Sequence, residues 1–108
     1  MTSANETKYG RLDPMLAAIE ALVRCESPSE DLAACQNVVR LASDIATRVL
    51  GTPAQIKEIE GRPVFWWGAS QPEILLLAHL DTVWPHGSYQ PLWEVNGDVV
   101  RGPGVFDM

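Results

Sequence analysis

Cysteine, basic residues and long apolar runs are all scarce in this 108-residue chain. Its two cysteines, Cys25 and Cys35, form no C-x-x-C pair, which excludes a disulfide scaffold and indicates two reduced thiols. The longest apolar run covers residues 74–78, far below the ~20 residues of a membrane-spanning helix. The first ten residues are polar and contain no signal-peptide core. These absences predict a cytoplasmic protein with no membrane partner.

Positive charge is scarce as well, with eight Lys and Arg against fourteen Asp and Glu and a net charge of −6. A nucleic-acid partner is therefore not expected, because a phosphate-binding face needs a surplus of basic side chains. Hydrophobic residues make up 46% of the chain and charged residues 20%, close to the averages of globular proteins. The composition thus excludes a disordered acidic tail and indicates a folded globular chain.

Helical signals come first along the chain. Residues 1–12 are predicted to be a flexible leader, and residues 13–108 are predicted to form one structural unit. Asp13 offers an N-cap oxygen and Pro14 the fixed φ favoured at the first helical position, so a helix is predicted over residues 14–25. Apolar residues at helical spacing support it.

A second helix is predicted from Pro28 to Leu50. Ser27 and Glu30 have the spacing of a capping box, and an apolar stripe at helical spacing follows them. Gly51 then favours termination of the helix.

Strand-forming residues dominate the later segments, which are residues 55–60 (weakly), 64–67, 93–95 and 98–100. A turn is predicted at residues 61–63, and Asn96-Gly97 is a strong hairpin signal. The wholly apolar residues 74–78 predict a central strand that is covered by helices on both faces. Helices followed by a buried strand predict an α/β layered domain, with the strand order left open.

His79 and Asp81 directly follow the predicted central strand, at the end where open α/β sheets bind ligands. A carboxylate two residues from a histidine can fix the imidazole tautomer and make it a better metal ligand. Further along, a Gly-Pro-Gly loop at residues 102–104 leads to Asp107. Taken singly, the two segments have ordinary interpretations as a histidine capped by backbone and as a turn with a solvated aspartate.

Together the two segments resemble a known family. The matching stretches are Leu75-Leu76-Leu77-Ala78-His79-Leu80-Asp81-Thr82-Val83-Trp84-Pro85, Gly102-Pro103-Gly104-Val105-Phe106-Asp107-Met108 and, near the first helix, Leu22-Val23-Arg24-Cys25-Glu26-Ser27-Pro28-Ser29. They look like the dizinc metallopeptidase family of glutamate carboxypeptidase, aminoacylase, acetylornithine deacetylase and succinyl-diaminopimelate desuccinylase. The pattern is most similar to the glutamate carboxypeptidase branch.

The resemblance implies a role for each acidic or imidazole group in the motifs. His79 would be a ligand of one zinc ion, Asp81 the catalytic carboxylate that orients His79, and Asp107 the carboxylate that bridges both zinc ions. A cis peptide bond between Asp107 and Met108 is implied too. His86 matches no ligand position and is predicted to be an exposed loop histidine. Cobalt or manganese can occupy similar sites in place of zinc.

The resemblance also implies that this chain is the N-terminal part of a zinc-exopeptidase-like three-layer α/β/α catalytic domain. The full-length protein would be a homodimer and would hydrolyse an amide bond next to a free carboxylate, as in a small peptide or an N-acyl amino acid. The family's general base and remaining ligands would follow residue 108, so the chain alone is expected to be inactive. The alternatives are a non-catalytic truncated product and an unrelated α/β binding module.

Overall fold

The structure, a computed structural model, describes residues 12–107 as an α/β arrangement of two helices and two small antiparallel sheets. The elements are α1 (Leu12–Arg24), α2 (Leu32–Leu50), β1 (Gln55–Ile59), β2 (Arg62–Trp66), β3 (Glu94–Asn96) and β4 (Val99–Arg101). The predicted leader lies outside the described residues except for Leu12. Both predicted helices are confirmed, with shifted ends.

The core lies along one face of α2. The apolar stripe of this helix packs mainly on β2 and also contacts α1 and β1. The buried apolar residues are Val23 from α1 and Ala34, Cys35, Val38, Val39 and Ala42 from α2. Within residues 12–107, neither helix combines the length and the apolar character that a membrane crossing requires.

The start of α2 differs from the prediction. Asp31 is the N-cap, and its side chain accepts a hydrogen bond of 3.0 Å from the backbone N–H of Ala34. The predicted capping box of Ser27 and Glu30 is therefore wrong, because the Ser27 hydroxyl bonds elsewhere in the fold. The predicted stop is confirmed, since Gly51 has φ 80° and donates its N–H to the last helical turn.

β1 and β2 form a hairpin in which Gln55 pairs with Trp66. The turn consists of Glu60 and Gly61, whose φ angles are 51° and 79°, and not of residues 61–63 as predicted. Two central residues with positive φ are the pattern of a type I′ turn, whose twist matches that of the strands it joins. Pro63 consequently lies inside β2.

The second hairpin, β3–β4, confirms the signal of Asn96-Gly97, although the turn is shifted by one residue. Asn96 pairs with Val99, which leaves Gly97 and Asp98 as the turn. Gly97 has φ 61°, as the first central position of a type II′ turn requires.

The predicted central strand at residues 74–78 is wrong for this structure. The segment forms no strand, and Ile74, Leu76 and Leu77 expose 81%, 91% and 88% of their surface. The physical reason is a missing partner, because each strand among residues 12–107 is paired within its own hairpin and none lies along this segment. An apolar run becomes a buried strand only where other strands and helices cover it.

Candidate metal centre

The candidate site is built on a contact between two distant parts of the chain. Residues 27–29, between the helices, run beside residues 80–82 through a parallel bridge of Pro28 and Thr82. Thr82 donates its N–H to the Ser27 carbonyl at 2.8 Å, and Ser29 donates its N–H to the Thr82 carbonyl at 2.9 Å. The Ser27 hydroxyl adds a bond of 2.8 Å to the carbonyl of Leu80. These bonds fix the backbone just after His79.

His79 and Asp81 are in contact, as the sequence motif predicts. Nδ1 of His79 lies 3.0 Å from the backbone oxygen of Asp81 and 3.4 Å from its carboxylate oxygen Oδ1. The backbone oxygen is the hydrogen-bond partner of Nδ1 and the carboxylate oxygen adds a negative charge beside it, so this geometry favours the tautomer with the proton on Nδ1. The Nε2 lone pair is then free to bind another group.

The carboxylate of Asp81 is held on its other oxygen by Ser29. The Ser29 hydroxyl donates a hydrogen bond of 2.6 Å to Oδ2 of Asp81. This bond is the main reason why the pKa of Asp81 lies below its usual value, and partial burial opposes the shift. Asp81 is therefore a carboxylate at neutral pH and can orient the imidazole of His79.

Asp107 reaches the same histidine from the opposite side. Its Oδ1 lies 3.9 Å from Nε2 of His79, and its side chain is 88% exposed. The preceding loop is anchored by Gly102 and Pro103, which are both buried, and two tight turns follow them. The predicted cis bond after Asp107 involves Met108, which lies outside the described residues.

The three predicted site residues thus lie together, with Asp81 at Nδ1 of the His79 ring and Asp107 near Nε2 of the same ring. Nε2 and Oδ1 of Asp107 lie 3.9 Å apart, slightly wider than the roughly 3.4 Å between two ligand atoms of a tetrahedral zinc ion with bonds of about 2.1 Å, so a small movement of the exposed Asp107 side chain would fit an ion between them. Two donors are fewer than the three or four that protein zinc sites use. Across residues 12–107, no group of three or more His, Cys, Asp or Glu is placed to hold a metal ion. The donors fit part of a zinc site.

His86 lies in an exposed loop, as predicted, but it has partners that the sequence does not reveal. Its Nε2 lies 2.9 Å from Oδ2 of Asp31, and its Nδ1 lies 3.8 Å from Oε2 of Glu26. The two carboxylates face different ring nitrogens, so the group is a hydrogen-bonded contact and not a shared ligand set. It attaches the loop after Thr82 to the start of α2.

Ser29 is the site residue that the sequence motifs do not single out. The pattern of its neighbours Ser27 and Pro28 predicts a helix start, and no local pattern relates residue 29 to residue 81. The contact between Ser29 and Asp81 is therefore visible only in the structure.

Comparison with protein-family models, with curated proteins and with solved structures finds no match to this chain.

Proposed function

We propose that this chain is the N-terminal portion of the catalytic domain of a dizinc carboxypeptidase or amidohydrolase with a three-layer α/β/α, zinc-exopeptidase-like fold. One observation carries the proposal. A single imidazole has its Nδ1 against Asp81 and its Nε2 near Asp107. This contact supports the proposal, because a metal-binding histidine usually directs its other ring nitrogen at a carboxylate or a backbone carbonyl.

Each residue has a distinct task in the proposed site. His79 would hold one ion through the Nε2 lone pair, and Asp81 would keep the proton on Nδ1 and the ring in place. Asp107 would hold both ions through its exposed carboxylate, whose negative charge would offset their mutual repulsion. When bound, the two zinc ions supply an activated water for attack on an amide carbonyl.

The proposed substrate is a small peptide or an N-acyl amino acid with a free carboxylate beside the scissile amide. The proposed full-length protein is a cytoplasmic homodimer. Free thiols at Cys25 and Cys35 agree with a reducing compartment. Because His79 and Asp107 supply only two donors, residues 1–108 alone are expected to bind zinc weakly. The general base and other ligands are proposed to follow in the full-length protein.

The test uses the full-length protein and compares His79→Ala with His86→Ala. Both substitutions remove an exposed loop histidine that contacts two carboxylates, but only His79 faces the proposed metal. We expect His79→Ala to lower the bound zinc and to reduce hydrolysis of N-acyl amino acids at least a hundredfold. His86→Ala should change neither by more than a few-fold. Zinc content and hydrolysis that survive His79→Ala would refute the proposal.

A further inference from the structure

The Ser29 hydroxyl lies between two acceptors of the site segment. It is 2.6 Å from Oδ2 of Asp81 and 3.0 Å from the carbonyl oxygen of Thr82. A hydroxyl has one proton, and a carboxylate forms a shorter and stronger hydrogen bond than a neutral carbonyl. The proton therefore belongs mainly to the bond with Asp81.

Ser29 is itself fixed from two directions. Its N–H donates to the Thr82 carbonyl at 2.9 Å, and its carbonyl accepts a bond of 2.7 Å from Nη2 of Arg62, at the start of β2. A hydroxyl on a backbone held in this way has little freedom to follow a moving carboxylate. It defines where Oδ2 of Asp81 lies.

With Oδ2 fixed by Ser29, the other oxygen of Asp81 is left to face the ring of His79. Oδ1 lies 3.4 Å from Nδ1, on the side of the ring opposite Asp107. Rotation of the unrestrained carboxylate would withdraw this oxygen from Nδ1. The hydrogen bond of Nδ1 to the backbone oxygen of Asp81 would remain, but Nδ1 would lose the carboxylate charge beside it.

We propose that Ser29 is a positioning residue that, through Asp81, selects the Nδ1–H tautomer of His79 and directs the Nε2 lone pair toward Asp107. The consequence for metal binding rests on the function proposed above, whereas the consequence for the tautomer does not. Ser29 contacts neither Nε2 nor Asp107, so it acts only through the orientation of the two residues between.

Ser27 provides a matched control. It lies two residues before Ser29, and its hydroxyl also bonds to the 80–82 segment, at the carbonyl of Leu80. Ser27→Ala and Ser29→Ala therefore each remove one hydroxyl and one hydrogen bond from the same contact. Only Ser29→Ala removes a bond to the Asp81 carboxylate.

The first measurement is the tautomer of His79 by nitrogen NMR of the metal-free, full-length protein, with labelled histidine and at a pH where the ring is neutral. We expect Ser29→Ala to shift the equilibrium about fivefold toward Nε2–H, because the charge contact between Oδ1 and Nδ1 is lost while the hydrogen bond to the backbone oxygen of Asp81 remains. Ser27→Ala should shift it less than twofold. Equal shifts in the two variants would overturn the proposal and leave Ser29 a purely structural residue.

Ser29→Thr and Ser29→Val repeat the comparison at nearly constant shape, because they differ in a hydroxyl against a methyl group. Threonine should retain the wild-type tautomer and valine should not. Loss of the wild-type tautomer in both variants would contradict a role for the hydroxyl. This pair decides the question even if Ser29→Ala does not fold.

Zinc affinity of the same variants gives the second readout. Ser29→Ala should weaken it by about fivefold, less than the ~10–100-fold cost of removing a direct hydrogen-bond partner of a metal ligand, because Ser29 acts on His79 only through Asp81. If His79→Ala abolishes zinc binding but Ser29→Ala changes neither affinity nor tautomer, the role of Ser29 is refuted and the proposed function stands. If the wild type binds no zinc but the tautomer depends on Ser29, the proposed function fails and the positioning role stands.

Discussion

Gly102 occupies a place where a side chain has no room, and its replacement should disturb both the fold and the candidate site. A Cβ atom added there would lie 2.6 Å from the carbonyl oxygen of Leu92, 2.8 Å from Cγ1 of Val23 and 3.3 Å from Cγ2 of Val105. The first of these atoms is backbone, and Val23 is buried in the core of α1 and α2. Neither neighbour can rotate away.

The magnitude follows from these distances. Overpacking a well-packed site costs about 1–3 kcal/mol, and two contacts below 3.0 Å place Gly102→Ala near the upper end, at about 3 kcal/mol of unfolding free energy. Gly102 does not have a left-handed backbone conformation, so the cost is steric. Gly97→Ala is the contrasting case, because it meets open space and strains only a positive φ of 61°. It should cost about 1 kcal/mol.

Urea unfolding of the full-length protein measures these changes. A second test is the double variant Val23→Ala with Gly102→Ala, which removes one of the two closest contacts. Its destabilisation should be smaller than the sum of the two single effects by at least about 0.5 kcal/mol. If the chain belongs to the proposed zinc enzyme, zinc affinity should also fall in Gly102→Ala, because the displaced loop carries Asp107 away from His79. Wild-type stability in Gly102→Ala would refute the packing argument.

Two further predictions concern titratable groups. The pKa of Asp31 is lowered chiefly by the hydrogen bond from the backbone N–H of Ala34 and next by the hydrogen bond with His86. The ionised form of Asp31 therefore stabilises the fold at pH values above its unfolded pKa of about 4. This contribution is lost as the pH falls through the lower pKa of the folded state. Asp31→Asn keeps an N-cap acceptor and removes this titration, so the urea midpoint of the variant should fall less steeply at acid pH than that of the wild type. Identical acid slopes would contradict the assignment. Burial raises the pKa of both Cys25 and Cys35, and Cys35 is the more buried thiol. A thiol reagent such as dithionitrobenzoate should therefore modify Cys25 first and Cys35 only on unfolding, and equally fast modification of both would be inconsistent with the packing of α2.

The elements that the sequence predicts well are those whose signal is local. Amphipathic spacing identifies α1 and α2, and Asn96-Gly97 identifies the second hairpin, because these signals depend only on neighbours in the chain. The start of α2 is harder to predict from the sequence, because Ser27 and Asp31 are both residue types that favour the N-cap position. Ser27 is excluded only by its bond to Leu80, which is 53 positions away.

The structure of segment 74–78 and part of the candidate site also depend on contacts between residues that are distant in the sequence. Periodicity reveals that the segment is apolar, but pairing with other strands decides whether it becomes a strand. His79 and Asp81 are close in sequence, so their contact was predictable from the motif. The approach of Asp107 to His79 is expected only from the family resemblance. No local sequence pattern predicts the hydrogen bond from Ser29 to Asp81.

The bridge between Pro28 and Thr82 has a consequence for the order in which the molecule folds. Closing a loop of 53 residues costs about 3.5 kcal/mol of chain entropy, while the four hydrogen bonds across the bridge together contribute about 4 kcal/mol net. The contact is thus nearly neutral until α2 and the first hairpin have already shortened the loop. His79, Asp81 and Ser29 are therefore expected to meet after α2 and the first hairpin have formed, and their contact is expected to open before those elements do.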